Sequence, residues 1–100
     1  MEGRARISAD VLASYAADAA VEVAGVRGLA DSPLPGRKGV RVTMQGDSVE
    51  IELQLSVEWG ASLPELGRGV QTGVREYLAR MVDVEPASVA VVVARIAPPR

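Results

Sequence analysis

The chain has 100 residues, of which 11 are basic and 13 acidic, and its formal net charge is −2. This balance disfavours a protein whose main task is to neutralise nucleic-acid phosphates. Because histidine and cysteine are absent and Lys38 is the only lysine, disulfides, thiolate chemistry and Ser-His or Cys-His catalysis are excluded.

The first predicted element is an amphipathic helix at about residues 9–23. Its apolar residues recur at helical spacing, and acidic and polar residues lie four apart on the other side. Ser8 is placed to accept a hydrogen bond from the first turn, and Gly25 to end the helix in a left-handed conformation. The apolar stripe consists of Leu12, Ala16, Ala19 and Val23, widened by Val11, Tyr15 and Ala20.

Residues 28–39 form a predicted flexible surface loop, because prolines and glycines interrupt any period that could bury a face. The loop contains Gly36-Arg37-Lys38-Gly39, which matches the GxxG pattern of the loop that clamps nucleic-acid backbone in KH domains. Arg37 and Lys38 are therefore candidate nucleic-acid contacts. The KH loop joins two helices, however, whereas this one leads into a strand. With the acidic balance, that difference leads us to expect no nucleic-acid partner.

A β-hairpin follows, with a two-residue turn at Gly46-Asp47. Residues 49–59 alternate apolar and polar side chains without a fault, which predicts a strand with one dry face and one wet face. Residues 40–45 alternate in the same way. The turn predicts three cross-strand pairs that place apolar with apolar and cation with anion: Met44 with Val49, Val42 with Ile51, and Arg41 with Glu52.

The second predicted helix begins at a capping box formed by Ser62 and Glu65 and runs to about residue 82. Its buried stripe repeats at helical spacing. Three glycines in it each cost about 1 kcal/mol of helix propensity relative to alanine. We expect close approach to the sheet to explain these glycines, which are Gly67, Gly69 and Gly73.

The last predicted strand covers residues 88–96, and residues 97–100 form a frayed tail. The fold class is α+β, a two-layer sandwich in the order α-β-β-α-β, with two helices packed on one face of a three-stranded sheet. The last strand should run parallel to the long one. It could lie beside that strand or beside the first hairpin strand, and we favour the second arrangement, order 2-1-3. The length predicts one domain, residues 1–100, with its core at 7–96.

The residues offer little for chemistry. Glu50 and Glu52 share the wet face of the long strand, about 7 Å apart by strand geometry. No apolar surroundings are predicted for either carboxylate, so we interpret them as a solvated face opposite Arg41. We predict no catalytic residue, no cofactor and no metal site. No apolar stretch approaches the ~20 residues of a membrane span, so direct membrane insertion is not expected.

Several short segments in a fixed order together form a recognisable pattern over about residues 7–96. They are Ile7-Ser8 with Val11, Val23-Ala24-Gly25-Val26-Arg27-Gly28-Leu29, Gly39-Val40-Arg41-Val42, Val57-Glu58-Trp59-Gly60, Val70-Gln71 with Val74, and Val89-Ala90-Val91-Val92-Val93. In these segments the chain resembles the alkaline shock protein family, also called the general-stress or envelope stress response family, of mostly Gram-positive bacteria. Trp59 stands where the family usually has tyrosine, and Val82-Asp83 replaces a threonine-glycine pair.

The resemblance implies a non-enzymatic cytoplasmic protein at the inner face of the cell membrane that acts in cell-envelope homeostasis. It implies a protein partner, a small membrane-anchored protein, and self-association. Some relatives are associated with a kinase of the fatty-acid or dihydroxyacetone type, so an accessory kinase subunit is the alternative. A KH-like RNA-binding module is the third reading.

The last predicted strand supports a separate hypothesis. It is apolar on both faces, whereas each of the other strands has one polar face. This pattern predicts a seam buried under a partner or a second copy. The apolar pattern would be explained equally well if the loop at 28–39 covers this surface of the strand. The candidate interaction residues are Ala90, Val92, Ala94 and Ile96.

Overall fold

The computed structural model describes residues 7–30 and 39–98 and contains two helices and four strands. The helices pack against one face of the sheet, which confirms the predicted α+β class, and the sheet has one strand more than predicted. In chain order the elements are α1 (Ala9–Val21), β1 (Val26–Leu29), β2 (Val40–Gln45), β3 (Ser48–Val57), α2 (Leu63–Val82) and β4 (Ser88–Ile96).

The hairpin of β2 and β3 has the predicted register. All three predicted cross-strand pairs are present, and Gln45 pairs with Ser48 across the two-residue turn. Gly46 has a φ of 58°, and a left-handed φ at the first turn position alone is typical of a type II′ turn, whose twist matches that of the strands. The hairpin therefore follows from its local sequence.

The dry face of β3 is the centre of the core. Leu53 and Leu55 are fully buried, and Val49, Ile51 and Val57 lie beneath the helices with them. The polar residues between them face away from the helices. The strand ends at Val57, two residues before the predicted end.

The additional strand, β1, is not among the predicted elements, and its last two residues fall in the predicted loop at 28–39. It pairs antiparallel with the end of β3. Gln54 donates its N–H to the carbonyl of Gly39 and accepts from the N–H of Ala30, both at 2.8 Å. Since the N–H and C=O of one strand residue point to the same side, β1 and β2 lie along the same edge of β3. Residues 31–38, most of the predicted loop, lie outside the described residues.

The last strand, β4, runs parallel to β3 as predicted, but it pairs with β3 itself. The favoured order 2-1-3 is therefore wrong. Pairing with β3 gives β4 eight paired residues, whereas β2 has only six residues. It also places β3 in the centre, and α2 connects the two parallel neighbours in the usual β-α-β manner.

The two helices begin where predicted. Ser8 caps α1 and accepts a hydrogen bond from the N–H of Val11 at 3.2 Å, and the helix ends at Val21, two residues early. Ser62 is the N-cap of α2, but its side chain makes no capping hydrogen bond, so the predicted capping box is wrong as a contact. At the other end of α2, Asp83 takes a left-handed conformation with φ 55°.

The helices lie antiparallel across the sheet. The rings of Tyr15 and Tyr77 meet edge to face, with centroids 5.7 Å apart. A Cβ on Gly69 would lie 3.3 Å from Val23 Cγ1, and one on Gly73 would lie 3.8 Å from Val23 Cγ2. Gly69 and Gly73 thus approach the turn after α1, so the predicted close approach of these glycines to the sheet is wrong. A Cβ on Gly67 would meet open space.

Candidate protein-interaction site

The predicted seam on β4 divides between two faces of the sheet. Ala90 and Val92 lie on the outer face, opposite the helices, and Val92 is 40% exposed. Ala94 is skipped in the register with β3, and this bulge turns Ile96 to the helix-facing side, where it pairs with Val57 and is 47% exposed. The four candidate residues therefore do not share one face of the sheet, because a bulge reverses the alternation of side chains. Partner binding by these residues stays a prediction.

Helix α2 covers part of the start of β4. Among the described residues β4 pairs only with β3, so its other edge has no strand partner there. Gln71 donates from Nε2 to the carbonyl of Val89 at 3.0 Å, and Arg75 donates from its guanidinium to the carbonyl of Pro86 at 2.8 Å. Two backbone acceptors at the beginning of the strand are therefore satisfied by side chains from the helix.

Trp59 is the most exposed large apolar side chain of the described residues, with 66% of its surface open to solvent. The alternation had placed it on the dry face of the long strand, which is wrong, because the chain turns after Val57. Gly60 has a φ of 86°, and Glu58 donates its N–H to the carbonyl of Gly25 at 2.8 Å. The glycine directly after the tryptophan is the sequence signal that could have revealed this turn.

Two neighbouring hollows lie between Trp59 and Tyr77. One, of about 480 Å³, lies between the Trp59 turn and the turn after α1, and the second, of about 420 Å³, lies between α1 and α2. Val23 lines both hollows, and Gly73 lines the second. We call the two hollows together the Trp59 groove.

Carboxylates dominate the charge of the Trp59 groove. Among the described residues, Arg80 is the only basic one that lines either hollow, and its guanidinium carbon lies 5.5 Å from the centroid of the Tyr77 ring. Side chains from both helices and from the Trp59 turn contribute the acidic groups. The five carboxylates along the groove belong to Asp18, Glu22, Glu58, Glu65 and Glu76.

The carboxylates of the sheet lie on its outer face. Glu52 is 4.0 Å from the guanidinium of Arg41, and both side chains are partly exposed. A pair of this kind contributes about 0–1 kcal/mol. In the part of the chain that the structure describes, no three acidic side chains gather closely enough to hold a metal ion.

Two further sequence predictions concern nucleic-acid binding and membrane insertion. Arg37 and Lys38, the candidate nucleic-acid contacts, lie outside the described residues, so that hypothesis stays where the sequence left it. Neither α1 nor α2 is long and apolar enough to cross a membrane, and within residues 7–30 and 39–98 there is no other helix.

The fold is similar to that of MamM-CTD. A histidine-to-alanine variant of MamM-CTD aligns with a TM-score of 0.61 and 14% identity, covering 91% of this chain and 100% of that chain. The copper form of another variant aligns with a TM-score of 0.59 and 15% identity, covering 89% of this chain and 98% of that chain. At this identity the likeness shows a shared fold alone. No curated protein matches the chain.

One family's sequence profile matches residues 1–98, nearly the whole chain. The description of that family is a cell envelope-related function. The match includes the segments that carry the resemblance stated above, from Ile7 to Val93. This protein therefore belongs to the alkaline shock protein family.

Proposed function

We propose that this protein is a non-enzymatic scaffold that binds a protein partner at the cell envelope. The observation that carries the proposal is Trp59, a large aromatic side chain that is 66% exposed on a turn tied to the rest of the fold. Tryptophan buries ~150–250 Å² when covered, and it is enriched among the residues that dominate binding energy at protein interfaces. Because the turn is already held in place, a partner would bury this area without first ordering a flexible segment.

Other exposed apolar side chains at the same end of the sheet support the proposal. Val57 ends β3, and Ile96 pairs with it and is 47% exposed. Leu63, which begins α2 after the Trp59 turn, is 40% exposed, and Val21, which ends α1, is 45% exposed. Several apolar side chains are therefore exposed to solvent at this end of the sheet, as is typical of a surface that contacts another protein.

The composition supports a role without catalysis. The chain has no histidine and no cysteine, and Lys38 is its only lysine, so it has no imidazole or thiolate catalyst and a single amine. The family's envelope-related function supports placing the partner at the envelope. The proposal is a cytoplasmic protein at the inner face of the cell membrane, held there by a small membrane-anchored partner. Self-association through Ala90 and Val92 on β4 is a further part of it.

The proposal is tested by crosslinking in the cells that produce the protein. A tagged chain is crosslinked at its native level, and the attached envelope proteins are identified by mass spectrometry. Trp59→Ala should lose a crosslinked partner that wild type retains, because the anchoring ring is gone. Trp59→Tyr, the residue usual in the family, is the matched control and should retain it. Since Trp59 is mostly exposed, both variants should fold, which circular dichroism checks. The same crosslinked proteins in wild type and Trp59→Ala would overturn the proposal.

A further inference from the structure

We infer that the Trp59 groove binds a protein segment that presents basic and apolar side chains together. The inference rests on the proposed function and names the chemistry of its partner. It depends on three independent features of the groove: its charge, a glycine that the packing does not require, and the exposed ring at one end.

The charge of the groove is concentrated relative to the rest of the chain. Its five carboxylates and the guanidinium of Arg80 give a formal charge of −4, whereas the whole chain has −2, so the remaining residues sum to +2. Like charges along one concave surface focus the field and attract a cationic ligand. Charges of opposite sign on a partner would speed association and fix its register. A basic segment fits this surface, and an acidic one is repelled.

Gly73 leaves room for an occupant in the groove. A glycine inside a helix costs about 1 kcal/mol relative to alanine. A Cβ at Gly73 would make only an ordinary contact with Val23, at 3.8 Å, so packing within the chain does not require the glycine. The missing methyl group instead deepens the hollow between the helices, where Gly73 lies beside Tyr77. A bound segment would occupy the space that the missing methyl group leaves.

Apolar groups complete the surface. Val23 lies between the two hollows, and Trp59 stands at one end with its ring exposed. Each hollow falls within the range of about 300–1,000 Å³ typical of sites that enclose a ligand group. An apolar side chain of the partner would cover the Trp59 ring while its basic side chains face the carboxylates along α1 and α2. Arg80, which lies over Tyr77, competes with the partner's cations for that ring.

The test uses three short fluorescein-labelled peptides and the full chain. The first peptide carries leucine and arginine at helical spacing, the second has glutamate in place of arginine, and the third has glutamine there. Fluorescence anisotropy measures affinity, and amide chemical shifts show where each peptide binds. We expect the arginine peptide to bind in the Trp59 groove at least about tenfold more tightly than either other peptide. We expect this preference to shrink between about 0.01 M and 1 M salt, as the Debye length falls from ~30 to ~3 Å.

Two glycine variants provide a matched pair. Gly73→Ala adds a methyl group inside the groove, and Gly67→Ala adds one on the same helix in open space outside it. Both should raise helix stability alike. Gly73→Ala should weaken binding of the arginine peptide by about tenfold, Gly67→Ala should leave it unchanged, and Arg80→Ala should strengthen it.

Three results would overturn the inference. They are an affinity for the arginine peptide weaker than about 1 mM, equal affinity for the glutamine peptide, and equal effects of the two glycine variants. Equal affinity for the glutamine peptide in the groove would remove the charge selectivity and leave the scaffold proposal in place. The scaffold proposal instead falls if the crosslinked partner survives Trp59→Ala, so the two failures are distinguishable.

Discussion

The amide of Gln71 donates a hydrogen bond from Nε2 to the carbonyl oxygen of Val89, 3.0 Å away. This contact joins the middle of α2 to the start of β4, a strand whose second edge has no strand partner among the described residues. Unpaired strand edges are templates for pairing with another chain. The helix therefore both covers the inner face of β4 and satisfies backbone acceptors at its beginning.

Replacing Gln71 with alanine should destabilise the protein modestly and increase its self-association. Loss of one side-chain hydrogen bond to a partly buried carbonyl should lower the free energy of unfolding by about 0.5–1.5 kcal/mol. Urea denaturation measures the first effect, and light scattering over a range of concentrations measures the second. Thr72→Ala, at an exposed neighbouring position, is the control and should change stability by less than about 0.5 kcal/mol. Equal behaviour of the two variants would contradict the role assigned to Gln71.

Two glycines of α2 should respond differently to alanine. Gly67→Ala should raise the free energy of unfolding by about 0.5–1 kcal/mol, because the new methyl group meets nothing and the helix propensity improves. At Gly69 the new Cβ would lie 3.3 Å from Val23 Cγ1, so Val23 must shift and the gain should be cancelled. The urea midpoint at constant slope measures both variants. An equal rise in both would show that the contact between Gly69 and Val23 is loose.

The hairpin and the core of the sheet could be predicted because their signals are local. The alternation around Leu53 and Leu55 has a period of two, and a slip of one residue would expose every apolar side chain of β3. Gly46 then sets the pairing of β2 with β3. The start of α1 was equally local, since Ser8 accepts the hydrogen bond that its position predicts.

The remaining features of the sheet depend on residues distant in sequence. Strand β1 has four residues, includes Gly28 and carries a bulge, so it shows no period. The position of β4 depends on how α2 packs, which no local pattern records. Because β4 is apolar on both faces, its alternation could not show that Ala94 interrupts the register. The candidate residues from Ala90 to Ile96 divide between two faces of the sheet for that reason.

The groove could not be predicted because its walls come from separate parts of the chain. Asp18 and Glu76 lie on different helices, so no local pattern shows that they line the same hollow. Trp59 was assigned to a strand because it continues the alternation, although the following Gly60 allows the chain to turn. Partner binding and the absence of catalysis, which the sequence predicts, stay predictions.

Asp83 is a site where stability can be gained. It adopts φ 55° and ψ 42°, a conformation that favours glycine, and its carboxylate lies at the negative end of the α2 dipole. Asp83→Gly should raise the free energy of unfolding by about 0.5 kcal/mol. Asp83→Asn removes the charge and keeps the side-chain shape, so it should give a smaller rise. Thermal and urea denaturation measure both. A glycine variant less stable than wild type would contradict the assignment of backbone strain to this position.

Deletion of Ala94 should be tolerated, which is unusual for a residue inside a strand. In the register of β4 with β3, Val93 pairs with Leu55, and Arg95 with Ser56, so Ala94 is the extra residue of a bulge. Removing it leaves both of those pairs in place and makes the ladder regular. We expect the free energy of unfolding to change by no more than about 1 kcal/mol. Heteronuclear NMR and urea denaturation measure the register and the stability.

Deletion of Ser56 from β3 is the matched control for the loss of Ala94. Ser56 lies in the central strand and pairs with Gly28 on one side and Arg95 on the other. Its removal shifts Val57 out of register with both β1 and β4 and turns a fully buried side chain toward the outer face. The protein should then unfold or lose several kcal/mol, because exposing one such side chain alone costs about 1.5–3 kcal/mol. If the deletion of Ala94 were as damaging as that of Ser56, Ala94 would not be an extra residue, and Ile96 would not share a face with Val57.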